Sequence, residues 1–285
     1  MFRLAYNTNG LPHHRVDDAL RLLADLGYEG VALTPDAGLL DPYRLDPDDV
    51  AGVRRTAEDL GLELSVETGS RFLIDPARKH HPTLLDPVES ERARRVDFLV
   101  RCIDLAADLD AGVVSLWAGA CPDGARADRG ATDAHWRRLT SALVPVLEHA
   151  AGQGVTLGFE PEPGMFIERP AGYLELVERL GPSGDTLGLT LDVGHLLCTG
   201  DLPVERVVAE TGSRLVAVHL DDIRDGEHVH RMFGEGDLDL ARTLAALVEV
   251  GFDGLAAVEL SRDGHRGPEA AQEAMGHLRA ALASR

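Results

Sequence analysis

The chain has 285 residues, with 48 acidic against 28 basic and a formal net charge of -20. That balance disfavours a nucleic-acid partner, whose phosphates are met chiefly by Lys and Arg. No apolar run approaches the ~20 residues of a membrane-spanning helix, so no membrane partner is expected.

In chain order, strand and helix patterns alternate. Strands are predicted at about 2–7, 30–35, 62–67, 111–117, 155–160, 187–192, 215–220 and 255–260. The first begins at once, so Met1–Tyr6 reads as a strand and not as a leader. The intervening segments have helical periodicity. Val16, Ala19, Leu20, Leu23 and Leu26 mark the buried face of the first helix. Val96, Leu99, Val100, Ile103 and Ala106 mark that of the third, and Trp136, Leu139, Leu143 and Leu147 that of the fourth. Gly27, Gly61, Gly154 and Gly251 fall where helices should end in a left-handed residue. Cys102, Cys121 and Cys198 are an odd count without zinc-motif spacing. They predict a reducing, cytoplasmic setting without a disulfide framework.

Eight such units predict an α/β fold, a (β/α)8 TIM barrel forming a single domain over residues 1–285, close to the ~250 residues usual for that architecture. A doubly wound open sheet is disfavoured, because no Gly-x-Gly-x-x-Gly turn follows strand one. Three loops are long, at about 68–87, 118–132 and 221–237. In a barrel all three follow strands and rim one mouth.

Glu160, Asp192, His219 and Glu259 each close an apolar run, at intervals of 32, 27 and 40 residues. These intervals suit successive βα units of roughly 30 residues. The four would converge at one end of the barrel. Three carboxylates and one imidazole suit a divalent ion: Mg²⁺ or Mn²⁺, with Co²⁺, Fe²⁺ or Zn²⁺ admitted by the imidazole.

Leu191-Asp192-Val193-Gly194-His195, Val218-His219-Leu220-Asp221-Asp222 and the run His230–Asp239 resemble the xylose-isomerase-like TIM barrels. That group holds sugar isomerases and epimerases, inosose and 3-dehydroshikimate dehydratases, and endonuclease IV. The resemblance covers the whole chain. It implies one divalent metal on Glu160, Asp192, His219 and Glu259, with Glu160 and Glu259 also carrying the proton of an enediolate reaction. It implies that His195 contacts a substrate oxygen, and that His230 serves the substrate. In endonuclease IV the pair corresponding to His228 and His230 binds a further zinc, and histidines stand where this chain has Glu67 and Trp117. That departure argues against a trinuclear site.

The expected substrate is a small sugar, ketose, polyol or sugar phosphate. Glu67, Arg71, Trp117, His195 and His230 are the expected contacts, with Trp117 set against a sugar face. Arg71, Arg78, Lys79, His80 and His81 form a basic cluster that could meet a phosphate or carboxylate. Asp221, Asp222 and Glu162 are supporting candidates, with Asp222 read as an exposed acid. The leading activity is a metal-dependent isomerase or epimerase. A dehydratase begins from the same enolate and is the alternative; a phosphodiesterase or a non-catalytic binding barrel is disfavoured. The architecture is compatible with a homo-oligomer.

Overall fold

Every predicted strand forms, within two residues of its expected bounds. The computed structural model describes residues 1–284. The strands are β1 (Arg3–Asn7), β2 (Gly30–Leu33), β3 (Glu63–Glu67), β4 (Val113–Leu116), β5 (Thr156–Phe159), β6 (Leu187–Asp192), β7 (Leu215–Leu220) and β8 (Leu255–Val258). All pair in parallel with their sequence neighbours, and β1 pairs with β8, so the sheet closes as a (β/α)8 TIM barrel. The closing register sets Arg3 opposite Leu255 and Tyr6 opposite Val258.

The outer layer holds α1 (Val16–Leu26), α2 (Pro47–Leu60), α3 (Glu89–Asp108), α4 (Asp133–Gln153), α5 (Pro170–Leu180), α6 (Val193–Thr199), α7 (Val204–Thr211), α8 (Leu240–Glu249) and α9 (Gly267–Ala283). Gly27, Gly61 and Gly154 take positive φ at the ends of α1, α2 and α4, where their amides close onto the last turn. A Cβ-bearing residue meets a steric penalty in that conformation. Trp136, Leu139, Leu143 and Leu147 are buried as predicted. In α3 the face is rotated from expectation: Arg95, Phe98, Leu99, Cys102, Ile103 and Ala106 are buried, while Val96 and Val100 lie at its edge. The predicted face did not include Arg95, because a guanidinium is rarely buried. No helix among the described residues is long and apolar enough to cross a membrane.

Strand alternation positions the site. On a strand, residues two apart share a face. Each of the eight strands carries a small residue two positions before the one at its C-terminal end. Ala5 precedes Asn7, Ala32 Thr34, Ser65 Glu67, Ser115 Trp117, Gly158 Glu160, Thr190 Asp192, Ala217 His219, and Ala257 Glu259. Ala5, Ala32, Leu255 and Ala257 pack together as a separate small core. A Cβ added at Gly158 would run into the Thr190 side chain. The narrow interior is thus filled by small side chains, and the larger polar ones stand above them at the mouth.

Candidate active site

Above that layer opens a cavity of about 510 Å³. Its lining comes from nearly every strand end and includes Asn9, Glu67, Arg71, Trp117, Glu160, His219, His230 and Glu259. Glu160 and Glu259 lie one residue past their strands. Their amides still donate to Leu116 O at 2.8 Å and Leu220 O at 3.0 Å, so the sheet ladder fixes both backbones.

Glu160, Asp192, His219 and Glu259 each offer a ligand atom, all within 4.8 Å of one another. His219 Nδ1 stands 3.0 Å from Glu160 Oε1 and 3.1 Å from Glu259 Oε2. Its Nε2 lies 3.2 Å from Glu67 Oε1. Asp192 Oδ1 accepts the His195 amide at 2.9 Å and so caps α6, while Oδ2 is buried without a hydrogen-bond partner. Burial and the neighbouring Glu259 and Asp192 carboxylates push Glu160 up to about 8, against the pull of His219. Burial would also raise Glu259, but His219, His230 and His195 hold it well below the usual carboxylate range. Burial would lower His219; Glu67, Glu160 and Glu259 instead raise it well above an ordinary imidazole. Three crowded carboxylates, one with an unpartnered oxygen, fit a divalent cation.

Three imidazoles stand beside the quartet. His228 Nε2 lies 3.1 Å from His195 Nε2 and 3.3 Å from His230 Nε2. His195 Nδ1 donates to Pro161 O at 3.1 Å, and His230 Nδ1 to Glu259 O at 3.2 Å. A carbonyl can only accept, so in the neutral rings both Nε2 atoms present a lone pair. Burial, with His195 and His230 alongside, lowers His228 to about 4. Glu162 closes this group, its two oxygens 3.7 Å from His195 and 3.8 Å from His228. These imidazoles form a second set of side chains that could hold a cation.

The supporting residues divide. Asp221 is fully buried with Oδ2 3.1 Å from His230 Nδ1, and a Cβ at Gly194 would collide with its carboxylate. Asp222 is not an exposed acid. It is fully buried and accepts the amides of Ile223, Gly234, Gly236 and Leu238, each at 2.9 Å. Local sequence could not reveal this, because three of its donors lie 12 to 16 residues away.

The basic cluster also divides. Arg71, Lys79 and His80 line the cavity, whereas Arg78 turns outward to Asp75 at 2.7 Å. Trp117 is buried, with the Arg95 guanidinium 4.4 Å from its ring centre and His80 at its edge. Sequence reading missed Asn9, whose Nδ2 donates to Glu259 Oε1 at 2.8 Å, and Arg262, which lines the cavity from the β8 loop. The small residue two places before each strand end was the available signal for Asn7 and Thr34. Asn9 and Arg262 lie beyond the strands and carry no such mark.

A family model described as "Xylose isomerase-like TIM barrel" matches residues 20–281. A 3-dehydroshikimate dehydratase of Pseudomonas aeruginosa is 26% identical over 274 residues, covering 93% of this chain and 39% of that protein. The chain spans about two fifths of the length of the curated relatives it matches first. Among solved structures, an L-ribulose 3-epimerase superposes with a TM-score of 0.78 at 21% identity, over 100% of this chain and 95% of the other. A D-allulose 3-epimerase from Methylomonas sp., in complex with D-allulose, gives 0.77 at 16% identity, over 99% and 97%. At these identities the structures share the fold.

Proposed function

The chain belongs to the xylose isomerase-like TIM-barrel family, and from that premise we propose that it is a divalent-metal-dependent isomerase or epimerase of a small ketose, sugar or polyol. The observation that carries the reading is the convergence of Glu160, Asp192, His219 and Glu259 on one point of the barrel mouth. Mn²⁺, Mg²⁺, Co²⁺ or Zn²⁺ held by these four would polarise the substrate carbonyl as a Lewis acid.

The remaining chemistry belongs to the side chains. Isomerising a hydroxy ketone needs a base to take the proton beside the carbonyl and an acid to return it. Glu160 and Glu259 approach the cavity from β5 and β8, three strands apart, and are assigned those two roles. The Asn9 amide holds Glu259 Oε1 in place. His195 has its Nδ1 proton committed to Pro161, and burial disfavours a second proton. Its Nε2 therefore accepts from a substrate hydroxyl, and it donates only after taking that proton. Glu67 and Trp117 flank the substrate, and His230 takes a further hydroxyl.

A dehydratase on the same residues is the second reading, favoured by the match of 93% of this chain to 39% of a 3-dehydroshikimate dehydratase. It shares the first proton removal and then loses a hydroxyl. A trinuclear phosphodiesterase is set aside, because Trp117 at the end of β4 offers an indole donor and no ligand.

Metal-loaded protein in D₂O, incubated with a panel of ketoses and followed by NMR, tests the reading. Deuterium entering the carbon beside the carbonyl with formation of the epimer or aldose supports it. Exchange followed by loss of water points to the dehydratase, and no exchange in any ketose sinks both.

A further inference from the structure

Lys79 is the only lysine in the chain; the other 27 of its 28 basic residues are arginine. It stands on the rim of the cavity, with Arg71 from the same loop and Arg262 from the loop after β8. Some arginines on the outer helices pair with acids of the same helix, as Arg54 does with Glu58 and Arg101 with Asp97, while others, such as Arg21 and Arg55, pair with none. Among the described residues, neither Lys79 nor Arg262 has a carboxylate within the 4.0 Å of an ion pair. Arg71 keeps one, Asp36 at 3.5 Å. Lys79 and Arg262 differ from the other unpaired cations in lining the cavity, in a chain where acids outnumber bases 48 to 28.

A second observation lies beneath the same wall. Arg95 is fully buried, yet it donates only to neutral oxygens: Ser70 Oγ at 2.7 Å and Thr68 O at 2.9 Å. Its guanidinium stacks on Trp117, which lines the cavity. A buried charge without a counter-ion is weakly screened, so its field extends into the neighbouring space. Glu67 and Glu259 stand at the ends of β3 and β8, and the loops beyond those two strands add Arg71, Lys79 and Arg262, which bring positive charge to the cavity. A lysine where arginine is otherwise the rule supplies a compact ammonium with three freely turning donors, suited to an anion as a point charge.

We propose that the substrate bears an anionic group, a phosphate monoester or a carboxylate, bound by Lys79 and Arg262 while its hydroxylated end reaches Glu160 and Glu259. The inference rests on reading the cavity as a ketose or polyol site, and about 510 Å³ accommodates a six-carbon chain with such a group.

The single lysine makes the test direct. Reductive methylation with ¹³C-formaldehyde keeps the charge and labels Lys79 and the terminal amine alone. The methylated protein is titrated at constant ionic strength with inorganic phosphate, gluconate and sorbitol. The Lys79 resonance is expected to shift saturably with phosphate or with gluconate, whichever group the site prefers, and not with sorbitol. Arg262→Met is expected to weaken that binding about tenfold or more, the loss of one charge-assisted contact. No saturable shift with either anion, an equal shift with sorbitol, or binding unaffected by Arg262→Met overturns the proposal. Deuterium exchange into neutral ketoses on the same samples separates the two ideas. Exchange without anion binding sinks the cationic wall and leaves the ketose reading standing; anion binding without exchange in any ketose does the reverse.

Discussion

On the proposed reading Glu160 and Glu259 carry two demands at once: each would hold a cation and move a proton. Replacing either by Gln keeps the shape and removes the base. Glu160→Gln and Glu259→Gln are each expected to lower kcat by about 10²–10⁴, the range of a lost general acid or base, with circular dichroism unchanged. Near-wild-type turnover in metal-loaded samples of either variant would remove the proton-carrying role. His80 makes a different prediction. Burial, then the neighbouring Lys79, lowers its imidazole from 6.5 to about 4. Between those values the unfolded chain binds the proton and the folded chain does not, so stability falls as pH drops through this window and levels off below it. His80→Gln is expected to lessen the fall of the thermal midpoint between pH 6.5 and 4, with His228 keeping its own share; an unchanged slope would assign the acid sensitivity elsewhere. The metal-site candidates were legible in sequence because a ligand type closing an apolar run is a local pattern. Asn9 was not, since its contact with Glu259 spans 250 residues.

Among the elements, the loop after β7 depends on one side chain. Asp222 gathers four backbone amides from Ile223 to Leu238, and this fold of the loop carries His228 and His230 to the cavity. A Cβ at Gly236 would strike Asp222 and the Ile223 carbonyl, so only glycine lets the chain pass there. Asp222→Ala would leave several amides without their charged acceptor, at a cost of about 3 kcal/mol or more. Lower thermal stability with faster amide exchange across residues 223–238 is the expected result; exchange confined to wild-type rates would show that the loop holds itself. The strands and the faces of α1 and α4 were legible because burial follows a fixed period. The face read for α3 lacked Arg95, whose burial is set by Thr68, Ser70 and Trp117 on other elements. A period read along one helix contains none of these partners.

The molecule as a whole carries a net charge of -20 and concentrates buried acids at one end of its barrel. A cation bound there relieves repulsion that the unfolded chain does not feel, and so stabilises the fold by mass action. Chelation is expected to lower the thermal midpoint by several degrees, with readdition of Mn²⁺ or Co²⁺ restoring it. Elemental analysis after dialysis is expected to return one equivalent per chain, because the quartet of three carboxylates and His219 offers the harder and more highly charged set. An unchanged midpoint in chelator would count against a structural share for the metal. Eight alternating units, without a Gly-x-Gly-x-x-Gly turn after the first strand, were enough to read the closed barrel over a doubly wound sheet. The basic cluster of the 68–87 loop was readable, but that Arg71 and Lys79 line the cavity while Arg78 turns away was not, because the order of residues does not record which side chains fold inward.

The pairing of β1 with β8 has a consequence for biosynthesis. The first strand of the barrel to leave the ribosome waits for a partner about 250 residues downstream, since Arg3 lies opposite Leu255. Until then β1 offers an open edge, which nascent chains expose to aggregation and to chaperones. Glu259 arrives with that last strand, so the chain gains its full set of site residues in the same step that seals its weakest edge.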